Sequence, residues 1–464
     1  MIECLSDTKS TAFNEIYSQA IPWDGAYDDA SVWMEAVQSL LRKMSEAFGG
    51  SLQSVKSICV SGTSASCLIV NSLDAGKVTR SPRMYDYDVV GSPKDPIYGI
   101  RAMELLDKHA PPRHTARAKT GSLAKLLSWN EERRLEKGEV LCHQADYIAM
   151  RLMSNPKKCG PGQEAQRCVV RSDWHNCLKC GYDVRNLTWP DWLSACLEEA
   201  GISDPIGSGV VPLHVVSPGE PLGTISQVVA KEFDLPETTV VVGGTTDSNA
   251  AFFAAVGGFE TAVGTAVTSL GSTLAMKQLS SSFVEDADRG VYSHRFPVFT
   301  NDGVDREAWL IGGASNVGCA VLRQQGFSNE ELEDLSKEID PMSDIDLSYY
   351  PLTKKGERFP IADTEKEPII EPVPESRRDY LHGLLQGISD VERDGFKILG
   401  ELGATPSRPS VVWTCGGGSR NDMWSRMRQR RLSESFHDES IMVKRAENTE
   451  ASYGSAILAA ATFV

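Results

Sequence analysis

The stretch TTVVVGGTTDSNAAFFAA, Thr238 to Ala255, limits what this chain can fold into more than any other segment. Its β-branched run predicts a buried strand, its glycine pair a turn, and the small and apolar residues after the lone acid a helix. The pattern recurs. SVKSICVSG (Ser54 to Gly62), CLIVN (Cys67 to Asn71), TSLGSTLAMK (Thr268 to Lys277) and SVVWTCGG (Ser410 to Gly417) also read as strands. Helical spacing marks Asp29 to Phe48, Gly121 to Arg133, Cys142 to Ser154, Asp191 to Gly201, Asn329 to Ile339 and Asp379 to Leu402. Short strands alternating with longer helices predict an α/β fold. The closing segment TEASYGSAILAAATF, made of small helix formers, is expected to pack tightly against another element.

A chain of 464 residues exceeds what one hydrophobic core supports, so two domains are expected. The boundary fits best between Val256 and Gly264, giving domains 1–258 and 259–464 and placing Asp247 at the junction. SNPKKCGPGQE (Ser154 to Glu164) reads as a surface insertion, and PLTKKGERFPIADTEKEPIIEPVPES (Pro351 to Ser376) as a long connection within the second domain.

A formal charge of −16 argues against a nucleic-acid binder, whose affinity rests on Lys and Arg displacing counterions. The one basic cluster, RMRQRR at Arg426 to Arg431, reads as a solvated helix face. Eleven cysteines in a long chain point to thiols in a reducing compartment; CLKC, Cys177 to Cys180, lacks the second spaced pair that a zinc site needs. Apolar runs fall short of the ~18 residues that span a bilayer, so no membrane partner is expected.

Three strand-to-loop turns set glycine beside hydroxyls: SGTSAS at Ser61, SLGSTL at Ser269 and CGGGSRND at Cys415. Glycine lets backbone amides approach an anion, and Ser or Thr adds donors, so such turns suit phosphate; a tight turn without a ligand is the alternative. Neither G-x-x-x-x-G-K-[ST] nor G-x-G-x-x-G occurs. Asp247 at a helix start fits an N-cap. The functional alternative is a general base on a rigid strand end, within reach of a substrate hydroxyl. Spacing leaves both readings open.

Taken in order, SGTSASCLIVN, MYDYD, HQADYIAMRL, SDWHNCLKCGYD, VVGGTTDSNAA, VTSLGSTLAMK, GGASNVGCAVL, YPLTKKGERFP, CGGGSRNDMWSRMRQRRL and TEASYGSAILAA resemble the FGGY carbohydrate kinases. Within that family the chain is most similar to the plant and cyanobacterial D-ribulose or xylulose kinase-like branch. The resemblance runs from about residue 30 to the C-terminus. It implies two actin-like, ribonuclease H-like α/β domains with an interdomain cleft, ATP and Mg²⁺ as cofactors, and phosphorylation of a ketopentose hydroxyl. Asp247 matches the family's catalytic base. Gly271, Ser272 and Thr273 resemble its second phosphate loop, and Gly416, Gly417, Gly418 and Asn421 its adenosine motif. Gly312, Gly313 and Asn316 fall in a further turn expected to border the nucleotide. Ser64, Ser66, Asp86 and Ser248 fall where the family lines its sugar pocket; no residue is assigned to the metal. The partners implied are a small sugar and ATP, for a monomer or homodimer in the cytoplasm or a plastid.

One departure is large. The family opens on a strand and a D-x-G-[ST]-S-like turn, its first phosphate loop, and no D-x-G-[ST] occurs in this chain. MIECLSD looks at best like the second strand of that hairpin, so an N-terminally truncated form is expected, with any targeting peptide lying upstream. The alternative function is accordingly a non-catalytic ATP- and sugar-binding protein, or a truncated isoform with little activity.

Overall fold

The structure, a computed structural model, describes all residues except 8–9, 23–24, 94–95, 113, 155–167, 203–208, 259–260, 287, 298–306, 461–462 and 464; at 4–7 and 10–12 it describes the backbone alone. The expected insertion at Ser154 to Glu164, with Cys159, thus lies almost wholly outside the described residues. The chain divides into two units, Met1–Phe253 with Glu450–Val464, and Ala254–Thr449. Phe259 and Glu260, within the expected boundary, lie outside the described residues; the division falls after Phe253, and Glu450–Val464, expected in the second domain, groups with the first unit.

The first unit opens on an antiparallel hairpin, β1 (Ile2–Asp7) with β2 (Ser10–Glu15), where a single strand was expected. Helix α1 (Ala30–Ala47), N-capped by Asp29 through the Ser31 amide, leads to β3 (Ser57–Gly62). Next come β4 (Cys67–Asn71), β5 (Lys77–Arg83), α2 (Ile97–His109), α3 (Ser122–Glu132), β6 (Glu139–His143) and α4 (Gln144–Met153). In the antiparallel sheet β5-β4-β6 the apolar run CLIVN is buried on both faces. Its side chains alternate, as a strand's must: Leu68 and Val70 join a core with Trp33, Phe233 and Val241, and Cys67 and Ile69 one with Leu106, Leu127 and Leu197.

Strand β7 (Arg171–Asp173), the one-turn helix α5 (Trp174–Cys177), α6 (Asp191–Glu199) and β8 (His214–Val216) follow, with β7 parallel to β8. Then β9 (Pro221–Thr224), α7 (Gln227–Phe233), β10 (Val240–Thr246) and α8 (Asp247–Val256) complete the expected strand–acid–helix sequence. Strand β10 lies between β9 and β3 and runs parallel to β3, with the register slipping at Gly243 and Gly244. A Cβ on Gly244 would stand 2.2 Å from the Val60 carbonyl oxygen, so the slip needs glycine.

The second unit is built on one six-stranded sheet, β13-β14-β12-β11-β15-β16. Its strands are β11 (Thr265–Leu270), β12 (Leu274–Ser280), β13 (Tyr292–Phe296), β14 (Ala308–Ser315), β15 (Val411–Cys415) and β16 (Met442–Arg445). Thr268 to Lys277, read from sequence as one strand, is a hairpin that turns at Gly271, whose amide donates to the Thr273 carbonyl at 3.1 Å. Strands β11, β15 and β16 are parallel. Helices α9 (Ala320–Gln324), α10 (Asn329–Lys337), α11 (Arg377–Glu401) and α12 (Asp422–Phe436) complete the unit: α11 packs on β12 and β14, α12 on β16 and α10 on both helices, and α11 buries Leu381, Leu384, Leu385, Ile388 and Val391 at helical spacing.

Helix α13 (Ala451–Ala460) packs on β3 and β10, as its small residues predict. Its Ile457 and Leu458 are fully buried, each contributing about 2 kcal/mol. The Ser57 hydroxyl donates to the Ala459 carbonyl, and the Tyr453 hydroxyl reaches the Phe13 carbonyl at 3.3 Å.

Candidate functional site

In each unit two neighbouring parallel strands end side by side, and most of the sequence-derived site residues follow those ends. In the second unit the pair is β11 and β15, in register from Thr265 with Val411 to Ser269 with Cys415. Gly416 continues β15 at φ +85, where a Cβ would lie 2.6 Å from the Leu270 carbonyl oxygen. Only glycine fits there. Gly417 has no atom within 4 Å of where its Cβ would stand, so it opens onto space. That space is a cavity of about 780 Å³, lined by Gly271, Ser272, Gly417, Gly418 and Asn421 among others. Leu322, Leu332 and Leu385 give it an apolar wall. Asn421 N-caps α12 by accepting the Trp424 amide at 2.9 Å and donates to the Ser336 hydroxyl at 2.7 Å.

Beneath the two strand ends lies a buried ion pair. Arg428 Nε and Nη2 each donate to a Glu392 carboxylate oxygen at 2.6 Å, with both side chains 1% exposed. Thr268 of β11 donates to Glu392 at 2.6 Å, and Arg428 Nη1 to Thr414 of β15 at 2.9 Å, so one network ties both strands. This corrects the reading of RMRQRR as a solvated face. Arg430 and Arg431 are also largely covered, pairing with Asp344 and with Glu434 or Asp390.

Gly312, Gly313 and Asn316 are placed differently from the expected turn. The two glycines belong to strand β14, where they permit close packing: a Cβ on Gly312 would meet the Met276 carbonyl at 2.1 Å, and one on Gly313 the Phe359 ring at 2.6 Å. Asn316 braces the loop at 356–358, donating to the Gly356 carbonyl at 2.9 Å and accepting from Arg358 at 2.8 Å.

In the first unit the parallel pair is β3 and β10, with Thr246 opposite Gly62. Beyond β10 stands Asp247, exposed, first residue of α8, its Oδ1 accepting the Ser248 amide at 2.7 Å. Beyond β3 comes the turn Thr63 to Ser66. Ser64 is half-buried, whereas Ser66 is fully buried with its hydroxyl on Thr63 Oγ1, and Thr63 is in turn held by Gln144. Asp86 is exposed.

Four polar residues behind these ends escaped sequence reasoning. Lys125 of α3 is fully buried, donating to the Ala65 carbonyl at 2.9 Å and the Met84 carbonyl at 2.6 Å. It therefore ties the Ser64–Ser66 turn to the segment carrying Asp86. Burial pushes its ammonium down to about 8. His175 Nδ1 meets the Thr245 hydroxyl at 2.7 Å. Asp173 accepts the His175 and Asn176 amides and Asn176 Nδ2, yet burial, with Asp146 nearby, holds its carboxyl up at about 8. Burial lowers Lys179, and the charge of Asp247 opposes that shift. Asp173, His175 and Lys179 all lie in SDWHNCLKCGYD, one of the quoted segments. Cys177 and Cys180 of the same segment are buried thiols, and burial raises both.

The mixed α/β chain has the actin-like fold of the solved structures to which it is similar. No family model matches the chain. Among solved structures it is similar to xylulose kinase from Rhodospirillum rubrum, with a TM-score of 0.69 and 19% identity over 97% of this chain and 84% of that one. It is similar also to ligand-bound xylulose kinase from Lactobacillus acidophilus (0.66 and 15%, over 97% and 86%) and to Plasmodium falciparum glycerol kinase with ADP (0.70 and 14%, over 97% and 84%). Likeness at such identities establishes the shared fold. Among the described residues no helix is long and apolar enough to cross a membrane.

Proposed function

We propose that this chain is an ATP-dependent carbohydrate kinase acting on a hydroxyl of a ketopentose of the D-ribulose or D-xylulose kind. The observation that carries this reading is the pair of glycine turns, Gly271–Thr273 and Gly416–Gly418, set on adjacent parallel strands at a cavity of nucleotide size. The sugar kinases that share the fold support it. Asp247 takes the proton of the sugar hydroxyl as its oxygen attacks the γ-phosphorus in line; the bond to the β-phosphate oxygen breaks, and ADP leaves with that electron pair. Ser64, Asp86 and Ser248 orient the sugar, while Ser66, fully buried against Thr63, braces the turn instead of meeting the substrate as the sequence suggested. Backbone amides of the glycine turns, with Ser272 and Thr273, receive the phosphates, and Asn421 and its glycines the adenosine. Mg²⁺ is held mainly through substrate phosphates and one or two carboxylates. Among the described residues no group of three His, Cys, Asp or Glu side chains forms a metal site, and the ion would arrive on the ATP phosphates. The reading goes with a monomer or homodimer in the cytoplasm or a plastid.

The absence of any D-x-G-[ST] favours a second reading, a non-catalytic ATP- and sugar-binding protein. Sugar-dependent ADP release across pentuloses, hexuloses and polyols separates the two. Release with one pentulose is the expected result; flat traces with nucleotide binding retained would select the second reading.

A further inference from the structure

We infer that Arg323 is a phosphate-binding residue of the second unit's cavity, pairing with the terminal phosphates of a nucleoside di- or triphosphate. The inference rests on the nucleotide reading of that cavity. Arg323 lies on α9, lines the cavity, and is exposed. Its Nη2 donates to the Ser272 hydroxyl at 3.1 Å, so the guanidinium stands beside the turn read as phosphate-binding. That placement is fixed by the backbone: the Cys319 amide just before α9 donates to the Gly271 carbonyl at 2.8 Å, and the Ala320 amide to the Ser272 carbonyl at 3.3 Å.

Two arginines on the cavity, Arg323 and Arg420, pair with no carboxylate among the described residues, whereas Lys337 is neutralised by Glu333 at 3.2 Å and Asp334 at 3.1 Å; of the two, it is Arg323 that stands on the Ser272 hydroxyl. A chain of net charge −16 repels a polyanion over most of its surface, so binding one requires local positive charge where the phosphates settle. A guanidinium has five donors in a planar fork, matched to two oxygens of one phosphate. One donor of Arg323 is on Ser272, and the rest have no partner among the described residues. A phosphate accepting from the Gly271–Thr273 turn is therefore within reach of that fork. Arg323 carries no signature of this role, because it sits in an otherwise ordinary helical segment, AVLRQQ.

The test is calorimetric titration of adenosine, AMP and ADP into the wild-type chain, Arg323→Ala and Arg323→Lys. The expected result is an ADP affinity reduced about 10- to 100-fold in Arg323→Ala and partly restored in Arg323→Lys, with adenosine within about twofold of wild type. Unchanged ADP affinity in Arg323→Ala would overturn the inference, as would an equal loss for adenosine, which marks a structural role. Adenosine binding to the wild type with no gain from added phosphates overturns the Arg323 assignment alone. Failure of all three to bind the wild type overturns the nucleotide reading and the inference with it.

Discussion

The two units deliver their site residues in the same way and furnish the place differently. β3 and β10 lead into a hydroxyl-bearing turn and a carboxylate, backed by buried polar groups: His175 on Thr245, and Lys125 on two carbonyls. β11 and β15 lead into glycines and open space, with the Arg428–Glu392 pair buried beneath the strands and the Arg323 guanidinium at the cavity's side. On the proposed function, the difference follows from what each end would handle. Orienting one small hydroxyl compound and removing its proton needs side chains in fixed places. Admitting a large ligand to backbone amides needs side chains to be absent.

The sharpest way to break this contrast is Asp247→Asn, which keeps the shape and removes the base. Turnover should fall about 10³-fold while ATP and sugar affinities stay near wild type, read by sugar-dependent ADP release and by titration. Near-wild-type turnover would refute the base assignment. Next is Glu392→Leu, which strands Arg428 as a buried unpaired charge and should cost about 3–5 kcal/mol in urea unfolding of the second unit. Adding Arg428→Met should recover most of that loss; an unaffected single variant would mean the pair is hydrated.

The smallest effect concerns Lys125. Its folded ammonium loses its proton near pH 8, whereas the unfolded one holds it to about 10.5. Between those values the unfolded chain binds the extra proton, so stability rises with pH. From pH 8 to pH 10 the wild type should gain about 2 kcal/mol on Lys125→Met, measured by denaturant unfolding of both. Parallel pH profiles would show that Lys125 is not buried as a charge.

What could be read in advance was local. The run Val240–Thr246, the acid after it and the helix beyond are specified within one short segment, and so are the glycine turns after β11 and β15. What escaped depends on partners distant in the chain. Arg428 is buried because Glu392 lies opposite it on α11, and Gly313 is a strand residue because Phe359 occupies the room of a side chain. Lys125 had no signature, since its partners are main-chain carbonyls, which any sequence supplies. Thr268 to Lys277 reads as one strand because Gly271–Thr273 interrupts apolar residues that continue on either side.

Helix α13 completes the first unit from beyond the whole of Ala254–Thr449. During synthesis the ribosome releases every residue of the second unit before Ile457 and Leu458 emerge to cover β3 and β10. The later-made unit can therefore finish folding first, while the earlier-made one waits with an apolar sheet face uncovered.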